Sequence, residues 1–504
     1  MKKNKIIISL LAVVLATSSC SDFLDINKDP NRVTDSNVTP QLIFTQAETA
    51  IGTRQATRFV FMNNWMGYWA RSGSFIVEQE ETTYKVTSTF TEGNWDQAYN
   101  ILFDLYKVKT MALTANDSIL AGSSMILSAK LWQETVDQFG AIPYFQAFDN
   151  LKYPTPVYDQ APAIYADLLV QLDKAISYLQ ASPTPSMVQS FAKADWIFAR
   201  GDSKMDVVSK WKKFANTIKL RMFLRQSEKG FTPSGAQIAK ITTDGGFLGA
   251  GENVAVNPGY SNQADRQNPF YAAFGLTPSG SAASTNNKAN AYYYSLINDD
   301  RYTLFYASPV TPTYYGALNG NKVPGGSQIG GTDIGPGLAR SSTQDQWILP
   351  SFESLFFQAE AIERGWIPGT DSTTYNSAVT ESFKWLNLPD SVIAATKDAK
   401  ASLADPTLGL NWILNAGTTQ DSKIKFIAYQ KYLALNGIDA MEEWADLRRG
   451  VLVLPDGYLS YNAVRAAHLP YVLPYPQSEV TVNKANLPTR TGDQIFTEKL
   501  FWQP

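Results

Sequence analysis

Apolar residues recur along this chain at the spacing of helices that each lay one face against a neighbour. Ala98, Ile101, Leu102, Leu105 and Val108 form one stripe, and Met125, Ala129, Trp132, Val136 and Phe139 form a second. A long third stripe runs through Ile164, Leu168, Leu172, Ile176 and Leu179, with Asp173 and Lys174 off it. Trp211, Phe214, Ala215, Ile218 and Met222 make a fourth. Late in the chain the period returns at Leu355, Phe356, Ala359 and Ile362, at Tyr375, Ala378, Val379 and Phe383, and at Ile424, Ile427, Ala428, Tyr432 and Leu435. Such stripes predict one-faced amphipathic helices, each needing another helix to cover it. Several come in pairs joined by turns, the pattern of a helical solenoid, although no clean 34-residue tetratricopeptide period appears.

The helical period fails from about 243 to 342. Gly, Ser, Asn, Pro and Tyr replace it, as in GGFLGAGENVAVNPGYSN and YYGALNGNKVPGGSQIGGTDIGPG. A disordered stretch would be poor in aromatic residues. This one carries Tyr260, Tyr271, Phe274, Tyr292, Tyr293, Tyr294, Tyr302, Phe305, Tyr306, Tyr314 and Tyr315, so it is expected to be ordered irregular structure packed on the helices. After Gly450 the chain is again turn-rich, with prolines at 455, 470, 474, 476 and 488. The expected organisation is therefore a single domain over 20–504. A helical scaffold covers about 40–240 and 350–450, with an irregular insertion at about 243–342 and a loop cap over 451–504.

The N-terminus changes where this domain is expected to be. Lys2, Lys3 and Lys5 precede a short apolar run from Ile6 to Ala16, followed by Thr17, Ser18, Ser19 and Cys20. The run is too short to cross a bilayer and reads as a secretory signal over 1–19. Cys20, the only cysteine of 504 residues, then becomes the first mature residue. Acylation of its thiol and its freed amine would anchor the chain firmly, since several acyl chains hold where one does not. No disulfide can form within one chain, so the core alone must hold the fold, and a chain this long can bury enough surface to do so. Without the three lysines of 1–19 the balance is 40 basic to 46 acidic residues, a net charge of −6, which argues against nucleic acid as a partner.

Three segments together carry a family resemblance: CSDFLDINKDPN from Cys20 to Asn31, SLFFQAEAIERGW from Ser354 to Trp366, and LPYVLPYPQSEVTVNKAN from Leu469 to Asn486. With these in this order and spacing, the mature chain resembles the SusD/RagB family of nutrient-binding outer-membrane lipoproteins. In that family a helix with AEA belongs to a tetratricopeptide-like unit. A proline-rich stretch with a Glu and a nearby Asn closes the fold, matched here by Pro476, Glu479 and Asn483. The resemblance implies an all-α-dominated fold, with tetratricopeptide-like helix pairs as scaffold and long irregular loops as ligand surface. It also implies residence on the outer face of the outer membrane and pairing with a SusC-like TonB-dependent β-barrel transporter. Glycans are the usual cargo, and some members take peptides. No cofactor is implied beyond the lipid on Cys20.

The residues themselves suggest where a ligand would sit. Trp65, Tyr68 and Trp69 are spaced to share one helical face. Such a face could stack a sugar ring while Asn63, Asn64 and Arg71 hydrogen-bond its hydroxyls. The alternative is that the stripe is the core face of a scaffold helix. Tyr292, Tyr293 and Tyr294 are consecutive and cannot all be buried on one side of a regular element. Tyr314 and Tyr315 precede a glycine-rich loop, and Trp347 follows it. Loop tyrosines offer large contact areas and hydroxyls at little entropic cost, or they pack on the scaffold.

Chemistry beyond binding finds little support. His468 is the only histidine and Cys20 the only thiol, so a Ser–His–Asp or Cys–His arrangement would have to draw on these. Glu78, Glu80 and Glu81 read as a solvated acidic face. Asp25, Asn27 and Asp29 begin like a calcium loop, but Pro30 stands where Gly is needed and Ser36 where Glu is needed. The glycine-rich run Gly330–Gly337 lacks the Lys-Ser/Thr ending of a phosphate loop. The expected function is therefore a non-enzymatic surface lipoprotein that captures an oligosaccharide and delivers it to its transporter. The alternatives are an oligopeptide cargo, a secreted glycosidase acting through two carboxylates, and an interaction protein with no small ligand.

Overall fold

Thr39 opens the first helix: its hydroxyl faces the Leu42 amide and Pro40 occupies the first turn, where no amide donor is needed. This helix, α1 (Pro40–Thr57), leads into the short α2 (Val60–Trp65). The computed structural model describes residues 38–72, 79–202, 206–297, 299–307, 332–398, 409–462 and 464–504. Cys20, Glu78, Tyr314 and Tyr315 lie outside them.

The first half is built on α3 (Glu92–Thr114), α4 (Ser118–Phe139), α5 (Ala161–Leu179) and α6 (Asp206–Arg225). α3 and α4 pack side by side across the turn 115–117, where the Asp117 carboxylate accepts the Leu120 amide at 3.1 Å. α4 also packs on α5, and both touch α6. The second half pairs α7 (Ser351–Glu363) with α8 (Asp371–Trp385), and α9 (Gln420–Ala434) with α10 (Ala440–Arg449). Helix pairs thus form the scaffold, and helix is the dominant secondary structure.

The apolar stripes lie in the core as their period requires. α4 departs from the one-faced pattern, because it is covered on all sides. Its polar residues Lys130, Gln133, Asp137 and Gln138 are buried with the rest. They can be, because each has a partner: Lys130 pairs with Glu134 one turn along, Gln133 accepts from Arg221 at 3.0 Å, Gln138 accepts from Asn94 at 3.1 Å, and Asp137 faces buried cations. Arg225 of α6 reaches Asp137 at 3.2 Å and Glu442 of α10 at 2.8 Å. Lys431 of α9 meets Glu442 and Asp446 at 2.8 Å each. Arg449 meets Asp446 at 2.7 Å and Glu360 of α7 at 2.5 Å. This buried ionic lattice joins the two halves. Desolvation offsets most of its Coulomb energy, so its net gain is small, yet removing one partner would cost about 3–5 kcal/mol.

The irregular insertion is held at two β-ribbons. β2 (Val254–Val256) pairs antiparallel with β4 (Gln346–Leu349), just ahead of α7. β1 (Trp69–Arg71) pairs antiparallel with β3 (Asn287–Ala289), with Trp69 opposite Ala289 and Arg71 opposite Asn287. Gly52 allows β2 to lie on α1, since a Cβ there would stand 2.5 Å from Val256 Cγ1. The C-terminal cap is pinned by Glu479, whose carboxylate accepts the Tyr158 hydroxyl at 2.7 Å and the Asn483 amide at 3.1 Å. Asn483 also donates to Pro156 O at 2.9 Å, and Asn486 to Thr155 O at 2.8 Å. The C-terminal family motif thus ties the chain's end to the connection between α4 and α5. Among the described residues no helix is long and apolar enough to cross a membrane.

Candidate functional site

The aromatic residues chosen from the sequence converge, but in the core. α2 ends at Trp65, and Gly67 turns the chain with φ +72°. Tyr68 therefore follows in a turn and Trp69 in β1, so Trp65, Tyr68 and Trp69 share no helical face. All three are fully buried. Trp65 Nε1 donates to Glu81 O at 3.0 Å, and the Trp65 ring stands edge-on to Trp444 of α10. Trp69 packs on Phe270 and Phe274. The sugar platform expected at these rings is thus interior: the insertion and α10 cover the faces a ligand would need.

Tyr68 belongs to a buried tyrosine cluster. It stacks on Tyr432 at 4.7 Å and meets Tyr293 edge-on. Every hydroxyl of the cluster donates to backbone: Tyr68 to Tyr432 O at 2.6 Å, Tyr432 to Met66 O at 2.8 Å, Tyr293 to Leu433 O at 2.6 Å and Tyr306 to Tyr68 O at 2.8 Å. Burial pushes all four hydroxyls above the usual tyrosine range, so they remain donors. The cluster fastens the insertion to α9. Tyr292 is also buried, with its hydroxyl on Pro455 O at 2.8 Å. Trp347 of β4 is buried and donates to Ile438 O at 3.1 Å. Tyr292, Tyr293 and Trp347 are framework too: Tyr292 and Tyr293 lie in the short helix Ala291–Leu296, where consecutive side chains point about 100° apart and find different interior partners, and Trp347 lies in β4.

Arg71 and Tyr294 stay closer to solvent. Arg71 is half-buried at the end of β1, paired with Glu81 at 2.7 Å and with Asn287 Oδ1 of β3 at 3.2 Å. Tyr294 is half-buried against Tyr302. Of the acidic run, Glu80 and Glu81 do not form a solvated face: Glu81 is buried under Arg71, and Glu80 accepts the Thr87 amide at 2.8 Å. His468 stacks on Tyr471, with its Nδ1 2.9 Å from Leu469 O. Among the described residues no group of His, Cys, Asp or Glu is arranged to hold a metal.

A second aromatic site was absent from the sequence reading. Between α3, α4, α5 and the connection at 140–159 lies an open cavity of about 230 Å³. Trp132 and Tyr144 meet edge-on at 5.0 Å, and Phe148 lies 6.0 Å from Trp132 and 5.6 Å from Tyr106. Phe145 and Tyr106 are exposed. Tyr144 donates to Asp167 Oδ2 at 2.6 Å, and Gln171 donates to Asp167 Oδ1 at 3.4 Å. Burial, then the bond to Asp167, pushes the Tyr144 hydroxyl up. The Lys109 ammonium lies over the Tyr106 ring at 5.3 Å; burial and then nearby Lys174 push it down. Phe148 takes φ +72°, a left-handed backbone that costs a bulky residue about 1–3 kcal/mol. The signal for this site was in the chain: Phe103 and Tyr106 are aromatic residues lying off the apolar stripe of α3.

Comparison with known proteins settles the family. The SusD-like family model described as "Starch-binding associating with outer membrane" matches residues 30–476. The chain belongs to the SusD-like family. Among solved structures, a chitin-binding SusD homolog from Flavobacterium johnsoniae is similar at TM-score 0.70 and 20% identity, covering 91% of this chain and 98% of that one. A SusD homolog from Bacteroides fragilis gives TM-score 0.70 at 18% identity, with 92% and 99% covered. A SusD-like protein from Bacteroides thetaiotaomicron gives 0.66 at 20%, with 91% and 98% covered. At these identities the likeness is one of fold. No curated protein matches the chain.

Proposed function

We propose that this SusD-like protein is a lipid-anchored, non-enzymatic receptor that captures an oligosaccharide at the cell surface. It passes the sugar to a SusC-like TonB-dependent β-barrel. The observation that carries the reading is the match to a starch-binding, outer-membrane family over nearly the whole mature chain. The fold's likeness to a chitin-binding homolog supports a sugar cargo. The anchor is Cys20, with 17 residues (21–37) between it and Val38, where the described chain begins. In this reading the buried tyrosine cluster holds the insertion rigid. The sugar meets the surface beside the β1–β3 ribbon, where Arg71 and Tyr294 are half-buried.

The experiment is a Cys20→Ala variant expressed beside the native chain, with mass spectrometry of both mature proteins. The native chain is expected to carry acyl groups on Cys20 and to label from outside the cell together with its barrel. The variant is expected to be released unacylated and to lose co-isolation with the outer membrane. A native chain found unacylated in the periplasm contradicts the proposal.

A further inference from the structure

The groove between α3, α4 and α5 shares no residue with the tyrosine cluster or the β1–β3 ribbon. Its floor is aromatic, with Trp132 and Phe148 beneath and exposed Tyr106 and Phe145 at the rim. Rings arranged this way present flat apolar faces, on which the C–H face of a sugar can pack. The polar groups gather at one side instead of lining the groove. Asp167 keeps acceptor capacity beyond the Tyr144 and Gln171 bonds, since a carboxylate has about four lone-pair sites. Lys109 makes no ion pair among the described residues, so its ammonium donors are available. One carboxylate and one ammonium cancel, which suits a neutral ligand over an anionic polymer. At about 230 Å³ the cavity falls below the ~300–1,000 Å³ of pockets that enclose drug-sized ligands. It fits a small ring of hydroxyls and not a folded partner.

We infer that this groove is a second carbohydrate site, in which a neutral pyranose unit stacks on Tyr106 and Phe145 and hydrogen-bonds Asp167, Gln171 and Lys109. It rests on the proposed sugar cargo and adds a place to hold a long glycan at two points. Two weak sites on one polymer raise avidity without a new tight contact.

The test is calorimetric titration of the full mature chain with a panel of neutral glycans: malto-, chito-, xylo- and manno-oligosaccharides. The panel is repeated with the double variant Tyr106→Ala/Phe145→Ala and with Asp167→Asn. Both changes are at the rim, and thermal melting confirms folding; Phe145→Ala alone, at 56% exposed, serves if the double variant melts early. The expected result is that a glycan bound by the native chain binds each variant at least about tenfold more weakly, or with one site lost. If the native chain binds a glycan and the variants bind it with unchanged affinity and stoichiometry, the groove assignment is overturned while the proposed function stands. If no glycan in the panel binds the native chain, both fall.

Discussion

Single residues in the interior reveal how this fold tolerates charge. Glu443 of α10 is buried, and neither carboxyl oxygen meets a hydrogen-bond donor among the described residues. Burial first, with Asp446 and Glu442 adding, pushes this carboxyl well above the usual range despite nearby Lys431. Glu442, one residue away, is held well below that range by Arg225 and Lys431 against its own desolvation, and Glu360 falls to about 2 beside Arg449 and Arg364. The signs follow. Glu442 and Glu360 contribute stability above the unfolded value near 4.5, lost as pH falls through their folded values. Glu443 carries its proton into the fold, so its contribution is present below the unfolded value and lost as pH rises toward the folded one. Glu443→Gln keeps the shape without the proton uptake. Its stability relative to the native chain is expected to climb with pH above about 4.5, measured by urea unfolding at pH 5, 7 and 8.5. A flat difference across that range would show the native carboxyl to be ionised.

At the scale of elements, the C-terminal latch stands apart from the core. Glu479 gathers Tyr158 and Asn483, and this fixes the connection whose Phe145 and Phe148 wall the groove. Glu479→Ala leaves the Tyr158 hydroxyl without its acceptor, and a loss of about 1 kcal/mol or more is expected. Amide exchange is expected to quicken at 150–158 while α4 stays protected; unchanged exchange there would mean the latch holds nothing. Why some elements were legible and others not follows from the same packing. A 3.6-residue stripe reports which helix face is apolar, and the stripes of α3, α5, α6 and α9 lie in the core as read. It does not report what covers the opposite face. Asp137 on α4 and Arg225 on α6 look like solvated positions until the helices bearing their counter-charges are placed. Trp65, Tyr68 and Trp69 misled for a related reason. Their spacing suits a helix, but Gly67 ends it, and the rings find interior partners some 200–380 positions away. The groove was missed because it is made by three helices and a connection together.

At the scale of the whole molecule the interior is tied together across its parts. The ionic lattice ties the helix pairs of the two halves, the tyrosine cluster fastens the insertion to α9, the β2–β4 ribbon joins the insertion's two ends, and the β1–β3 ribbon holds its middle. Aromatic residues at 12% of the chain serve this framework first, and far fewer remain for a ligand than their number suggests. Among the described residues, Tyr106, Phe103 and Phe145 are exposed around the groove of the first helix pairs, and Tyr294 is half-buried near the β1–β3 ribbon. A receptor built this way would bind without large rearrangement, through modest contacts spread over a stiff surface. The most direct test is equilibrium titration of the purified mature chain with neutral oligosaccharides, followed by analysis of the recovered sugar. Saturable binding with the sugar returned intact is the result expected of a capture protein. Release of new reducing ends, or saturable binding of peptides with no sugar bound at all, would contradict it.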